Sequence, residues 1–174
     1  MTELEKIKSL IREVPDFPEP GISFKDITTL LRDASGLKAT VDALVELFAG
    51  EQIDVVVGIE SRGFVIGTPM ALALGCGFVP IRKPGKLPSS TLRQEYTLEY
   101  GTDAVEIHED AIGAGERVLM VDDLLATGGT MEASCQLVER LRATIAGVGF
   151  IVELEFLNGR NRLRDYRVDS LVRY

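Results

Sequence analysis

Histidine occurs once in the 174 residues, cysteine twice and tryptophan not at all. The single His108 stands among Glu106, Glu109 and Asp110, on what reads as a solvated face, so no Ser-His-Asp or Cys-His catalytic constellation can be assembled. Cys76 and Cys135 lie far apart, without Cys-x-x-Cys spacing, which suggests neither a disulfide framework nor a zinc site and points to a reducing, cytoplasmic setting. Positive charge is also in short supply. Lys and Arg number 19 against 27 Asp and Glu, a formal net charge of -8, so no general attraction to nucleic acid or to an anionic membrane is expected. Any anionic ligand must be held by local chemistry.

Long apolar runs are lacking as well. The N-terminus "MTELEKIKSLIREV" carries acids from its third residue and apolar residues at helical spacing, the pattern of a short amphipathic helix and not of a signal peptide. Phe64 to Ile81 contains no charge, but Pro69, Gly75, Gly77 and Pro80 interrupt it, so it reads as a core helix, a turn and a short strand instead of a membrane span. No internal repeat or low-complexity segment is present. With 45% hydrophobic and 26% charged residues, the chain has the balance of one globular domain.

What is present alternates. Ser35 to Phe48 has helical apolar spacing and stops at Gly50; Ile53 to Ile59 is β-branched and almost continuously apolar, as in a strand buried on both faces. "DFPEPGISFKDIT" is too rich in Pro and Gly for regular helix and reads as a loop or small flap within about residues 1–34. Phe78 to Ile81 reads as a strand, and "QEYTLEYGTDAVEIHED" alternates on both sides of Gly101, an exposed hairpin following the loop "RKPGKLPSST". Val118 to Val121 begins the next buried strand, Met131 to Arg142 the next helix, and Gly147 to Leu157 and Val168 to Val172 read as late strands. Strands alternating with helices argue for an α/β fold with a largely parallel sheet.

The stretch "VLMVDDLLATGGTM", Val118 to Met131, concentrates chemistry. In open α/β sheets ligands bind beyond the carboxyl ends of the strands, which is where Asp122, Asp123 and the loop Ala126, Thr127, Gly128, Gly129, Thr130 are expected. That loop enters a helix, so its N–H groups and the two Thr hydroxyls can converge on a phosphate. No lysine follows the glycines and there is no Gly-x-Gly-x-x-Gly, so neither a Walker A loop nor a dinucleotide fingerprint is present. The two acids would repel a phosphate and should face hydroxyls or a magnesium ion. A ribose 5-phosphate meets both demands; a loop merely turned by its glycines and capped by its acids is the plainer alternative.

The same stretch resembles the phosphoribosyl diphosphate (PRPP) signature of the type I phosphoribosyltransferases. "PEPGISFKDIT", "GIESRGFVIG", "IRKPGKLP" and "YTLEYG" resemble, in order and at compatible spacing over about residues 15–157, segments of the adenine phosphoribosyltransferases. The resemblance implies a central sheet flanked by helices, a small N-terminal flap and a flexible hairpin lid at about 82–108. It implies transfer of the phosphoribosyl group from PRPP to N9 of adenine, with magnesium carried mainly by PRPP and diphosphate and with no direct protein metal ligand. In the implied site, Asp122 and Asp123 hold the ribose hydroxyls and the loop 126–130 cradles the 5-phosphate. Arg62 meets the diphosphate, and Lys83 and Lys86 belong to the lid. Glu99 is the catalytic carboxylate, assisting proton movement or stabilising positive charge on the ribose. For the base, Phe24 stacks on the purine, Leu124 covers its other face, and the main chain of Ser23 and Lys25 reads its edge; Lys25 stands where many relatives carry Arg. The arginines at 160, 162, 164 and 167 receive no catalytic role and read as a charged surface or a subunit contact. A homodimer is implied by resemblance only. A phosphoribosyltransferase for another purine, such as xanthine, and a PRPP-sensing module without catalysis remain open at this stage.

Overall fold

The computed structural model describes residues 2–98 and 100–174. The elements follow in the order α1 (Glu3–Ser9), β1 (Arg12–Val14), β2 (Phe24–Asp26), α2 (Thr28–Arg32), α3 (Ala34–Leu47), β3 (Val55–Ile59), α4 (Arg62–Leu74), β4 (Gly77–Ile81), β5 (Thr91–Thr97), β6 (Thr102–His108), β7 (Arg117–Leu125), α5 (Gly129–Arg140), β8 (Thr144–Glu153) and β9 (Val168–Arg173). Two 3-10 turns, Glu155–Leu157 and Gly159–Leu163, join β8 to β9.

Local chemistry sets several of these boundaries. Thr2 and Glu5 form a reciprocal capping box at the start of α1, and the Asp33 side chain accepts the Gly36 N–H at 2.7 Å to start α3. Helix α4 runs through Pro69, so that proline does not end it; Gly75, in the left-handed conformation at φ 71°, does.

The central sheet has the order β4-β3-β7-β8-β9 and every pairing in it is parallel. Alternation along its strands divides the core in two. Val55, Val57, Met120, Val148 and Phe150 pack with α5 and with Val105 and Ile107 of the hairpin. Val56, Leu119, Val121 and Ile151 pack with α1, α3 and α4. The Phe48 ring, fully buried, fills the room that Gly147 and Gly149 leave on β8; a Cβ on Gly147 would meet it at 2.5 Å.

The β5–β6 hairpin turns at Gly101 as the alternation indicates, but it is not exposed on both sides. Ala104, Val105, Glu106 and Ile107 are all buried, because β6 lies between the core and the 82–90 loop, to which Arg82 joins it by a pair of backbone bonds with Glu106. His108 is likewise half-buried, its Nε2 accepting the Ser89 N–H at 3.3 Å.

Helix α4 follows β3 on one face of the sheet and α5 follows β7 on the other, although β3 and β7 are neighbours. Their C-terminal ends therefore diverge into a crevice, the position where open α/β sheets receive ligands.

Candidate active site

Strand β7 is longer than its sequence suggests. Its pairing with β3 ends at Gly58↔Val121, while its pairing with β8 continues to Leu125↔Glu153. Asp122 and Asp123 are thus strand residues standing where β7 has outrun β3, and do not lie in a loop beyond the strand. The first turn of α4 closes against them: a Cβ on Gly63 would stand 3.1 Å from both Asp122 Oδ1 and the Val121 carbonyl, so glycine permits the approach.

The two acids are unlike. Burial, together with the adjacent Asp123 charge, pushes the Asp122 carboxyl well above the usual carboxylate range. Asp123, 7% exposed, accepts from Arg62 Nε at 2.5 Å, and this bond raises the Arg62 pKa against the opposing effect of burial. Arg62 is the first residue of α4, whose N-cap Ser61 makes no side-chain capping bond. Cation and helix terminus face the crevice together.

Beyond Leu125 the chain turns through 126–128 into α5. Gly128 is its N-cap, at φ 85° with no side-chain cap, so the first-turn N–H groups of α5 have neither intrahelical nor capping partners and are available to an anion. Asp122, Leu124 and residues 125–131 line a small cavity of about 100 Å³ with Phe150. The back of this loop rests on Gly159: a Cβ on Gly128 would meet the Gly159 carbonyl at 2.6 Å, and one on Gly159 would meet the Ala126 carbonyl at 2.2 Å.

Gly159 opens the 3-10 turn that carries Arg160. Arg160 makes two bonds to Glu153, at 2.8 and 2.5 Å, and a third to the Val168 carbonyl at 2.6 Å. Glu153 is 4% exposed and its carboxyl is held below the usual range, first by Arg160 and also by Ser170. Arg160 is therefore a partly buried anchor for the turn behind the loop and not simply part of a charged surface. Arg162 does bond a surface carboxylate, Glu132, and Arg167 bonds Glu51 and Asp169.

The hairpin reaches the same crevice through Tyr96. Its hydroxyl accepts from Thr130 Oγ1 at 3.1 Å and from Lys83 Nζ at 3.0 Å, and donates to Asp103. Burial works to lower the Lys83 pKa, but bonds to Asp103 and Tyr96 outweigh it and leave the ammonium raised. Hairpin and loop enclose a larger cleft of about 610 Å³ lined by Tyr96, Thr97, Leu98, Tyr100, Thr127, Gly129, Thr130 and Arg162. Lys86 is exposed on the 82–90 loop. Glu99 lies outside the described residues.

The flap is a two-stranded antiparallel piece, β1 with β2. Phe24 stands edge-to-face on Phe17, centroids 5.3 Å apart, and both line a cleft of about 230 Å³ with Val14 and Asp26. Asp26 is near enough for its charge to act on Arg62, which brings the flap toward the crevice. Phe24 and Leu124 line separate clefts. Ser23 is exposed, while the Lys25 side chain is only 8% exposed and is occupied by Glu13. Arg62, Asp122, Asp123, Lys83 and the 126–130 loop thus converge. Tyr96, Asp103, Gly159 and the Glu153–Arg160 pair join them without having been singled out by sequence.

Among the described residues no three His, Cys, Asp or Glu side chains cluster as a ready-made metal site, and no helix is long and apolar enough to cross a membrane.

The phosphoribosyl transferase domain family matches residues 25–172. An adenine phosphoribosyltransferase of Acaryochloris marina is 58% identical over 168 residues, 97% of this chain and 99% of that protein. The crystal structure of adenine phosphoribosyltransferase from Thermoanaerobacter pseudethanolicus superposes with a TM-score of 0.96 at 52% identity, covering 98% of this chain and 99% of that one. The Saccharomyces cerevisiae adenine phosphoribosyltransferase, complexed with an imino-altritol bisphosphate and adenine, gives 0.93 at 42% identity over 98% of each chain.

Proposed function

The chain belongs to the phosphoribosyltransferase family, among the adenine phosphoribosyltransferases, and from that premise we propose how its crevice acts. The reaction is transfer of the 5-phosphoribosyl group from PRPP to N9 of adenine, yielding AMP and diphosphate, a step of purine salvage. The observation that carries the assignment of the site is the convergence of an uncapped helix N-terminus and two carboxylates at one strand end: an anion cradle beside hydroxyl acceptors.

In this reading the N–H groups and hydroxyls of residues 126–130 hold the 5-phosphate, and Asp122 and Asp123 accept bonds from the ribose 2- and 3-hydroxyls. Both hydroxyl bonds favour ionised acids, so substrate offsets the cost of burying Asp122 as a charge. Arg62, Lys83 and Lys86 meet the diphosphate. Arg62 and Lys83 are paired with Asp123 and Asp103, bonds that a polyanion can take over. As the bond from the anomeric carbon to diphosphate breaks and the bond to N9 forms, positive charge develops on the ribose; Glu99 stabilises it or takes part in moving the N9 proton. Phe24 stacks on adenine, Leu124 covers the opposite face, and the main chain of Ser23 and Lys25 reads the edge. Occupation of the Lys25 side chain by Glu13 supports a main-chain contact there. The 82–108 segment serves as lid and residues 1–34 as N-terminal helix and flap.

The donors present fit magnesium as a companion of the substrate: the two acids are engaged by the ribose hydroxyls, so diphosphate, hydroxyls and water would supply the ion's about six oxygens. Bound there, magnesium neutralises charge on the leaving diphosphate. A cytoplasmic homodimer completes the proposal. It is supported by the outer face of α4, where Val65 and Leu72 are 47% and 78% exposed beside the edge strand β4.

The test offers adenine, guanine, hypoxanthine and xanthine separately with PRPP and magnesium and quantifies nucleotide and diphosphate. AMP from adenine alone is expected. A different nucleotide overturns the base assignment, and PRPP binding without any product overturns catalysis.

A further inference from the structure

The flap, whose flanking residues Ile11 and Ile27 are buried in the core, is also seated on one aromatic ring. Lys25 is paired in register with Glu13 across β1–β2 and bonds its carboxylate, and its ammonium lies 4.2 Å from the centroid of the Tyr174 ring. Lys8, from α1, places its ammonium 4.4 Å from the same centroid and donates to the Arg173 carbonyl at 3.0 Å. Tyr174 is fixed from the sheet: its N–H donates to the Glu153 carbonyl at 3.0 Å, and its own carbonyl accepts from Glu155 at 2.9 Å. Its ring packs partly against the α1–α3–α4 side of the core.

A two-stranded piece with three register pairs has little stability of its own and takes its position from what it rests on. Side chains alternate across a strand, so Phe24 and Asp26 share one face of β2 and Lys25 the other. The first face lines the cleft with Val14 and Phe17; the second is seated on Tyr174. An ammonium withdrawn from water, as Lys25 is at 8% exposure, binds an aromatic face more strongly than an exposed one.

We propose that Tyr174 is a positioning residue for adenine: its ring, clamped by Lys25 and Lys8, sets the height and tilt of the flap and thereby of Phe24 over the base. This rests on the adenine reading of the flap given above. Tyr174 reaches Glu153, behind the phosphate loop, through its main chain only, so substitutions of the ring act on the base side of the crevice, which separates the clamp from a general contribution to stability.

Steady-state rates of AMP formation for wild type, Tyr174→Leu, Tyr174→Phe and Lys25→Met, with adenine and PRPP varied in turn, decide the matter. Tyr174→Leu is expected to raise KM for adenine at least fivefold with KM for PRPP within twofold of wild type. Tyr174→Phe, which keeps the ring, is expected to stay within twofold for both. Lys25→Met, which keeps the stem but removes the cation, is expected to follow Tyr174→Leu, and carries the test if the leucine variant does not fold. An unchanged adenine KM in Tyr174→Leu and Lys25→Met, a parallel rise for both substrates, or a phenylalanine variant as impaired as leucine overturns the clamp. Failure of the wild type itself to make AMP overturns the adenine reading and the clamp with it.

Discussion

Adding a single methyl group at Gly159 tests whether the 126–130 loop, the proposed phosphate cradle, is held from behind. The residue opens a 3-10 turn with a backbone conformation open to alanine, so Gly159→Ala introduces no left-handed strain. The added Cβ would stand 2.2 Å from the Ala126 carbonyl oxygen and 3.0 Å from a Leu125 methyl, whereas ordinary contact begins at 3.4 Å. The Ala126 carbonyl must therefore retreat by about 1 Å, since dispersion contacts turn steeply repulsive inside their optimum. The turn is the less able to yield, being anchored through Arg160 by three hydrogen bonds to Glu153 and Val168. A displacement of about 1 Å in a substrate-positioning loop can cost on the order of a hundredfold in rate. Loss of on the order of 10- to 100-fold in kcat/KM for PRPP is expected, equivalent to about 1.4–2.8 kcal/mol of transition-state stabilisation. Initial rates of AMP formation at saturating adenine and varied PRPP measure it, with thermal unfolding confirming that the variant is folded. A folded Gly159→Ala protein with kcat/KM for PRPP within about twofold of wild type would refute the reasoning.

Other consequences are as open to measurement. Phe48→Ala removes a fully buried ring from between Gly147 and Gly149 and should cost about 3–5 kcal/mol, seen as a fall in Tm of about 10 °C. Asp26 is held down to about 2, first by the Thr28 N–H and then by Arg12, so its stabilising contribution is present above its ordinary value of 3.8 and is lost as pH falls through about 2. Asp26→Asn should accordingly lower Tm slightly at pH 6, and the gap to wild type should close as pH approaches 2 in an acid-unfolding series. Glu99→Ala should slow AMP formation by at least 100-fold, the scale of a lost acid–base or electrostatic group, while PRPP binding by calorimetry stays within a few-fold; an unchanged rate removes Glu99 from the mechanism.

Much of this architecture is legible where a signal is local. The β-branched run at 53–59 announces a strand buried on both faces, and the loop "ATGGT" announces a turn into a helix, because period and turn chemistry are written in neighbouring residues. The reading falters where pairing decides. The apolar run breaks at Asp122, yet β7 continues to Leu125 because β8 still offers it a hydrogen-bonding edge. The hairpin alternates like an exposed one, but the 82–90 loop covers its second side. Gly159 reads as an ordinary turn glycine in "NGR", Arg160 as one of several surface arginines, and Tyr174 as an unremarkable residue after a strand. The roles proposed for them rest on contacts with residues distant in sequence: Ala126 and Gly128 for Gly159, and Lys8 and Lys25 for Tyr174. No local pattern encodes such meetings.

The measurement that bears most directly on the account is a crystal structure of the protein with AMP. The phosphate should lie on the N–H groups of 127–130 at the start of α5, the ribose hydroxyls on Asp122 and Asp123, and the purine against Phe24. A phosphate seated instead on Arg62 and Lys83, with the 126–130 loop empty, would contradict it.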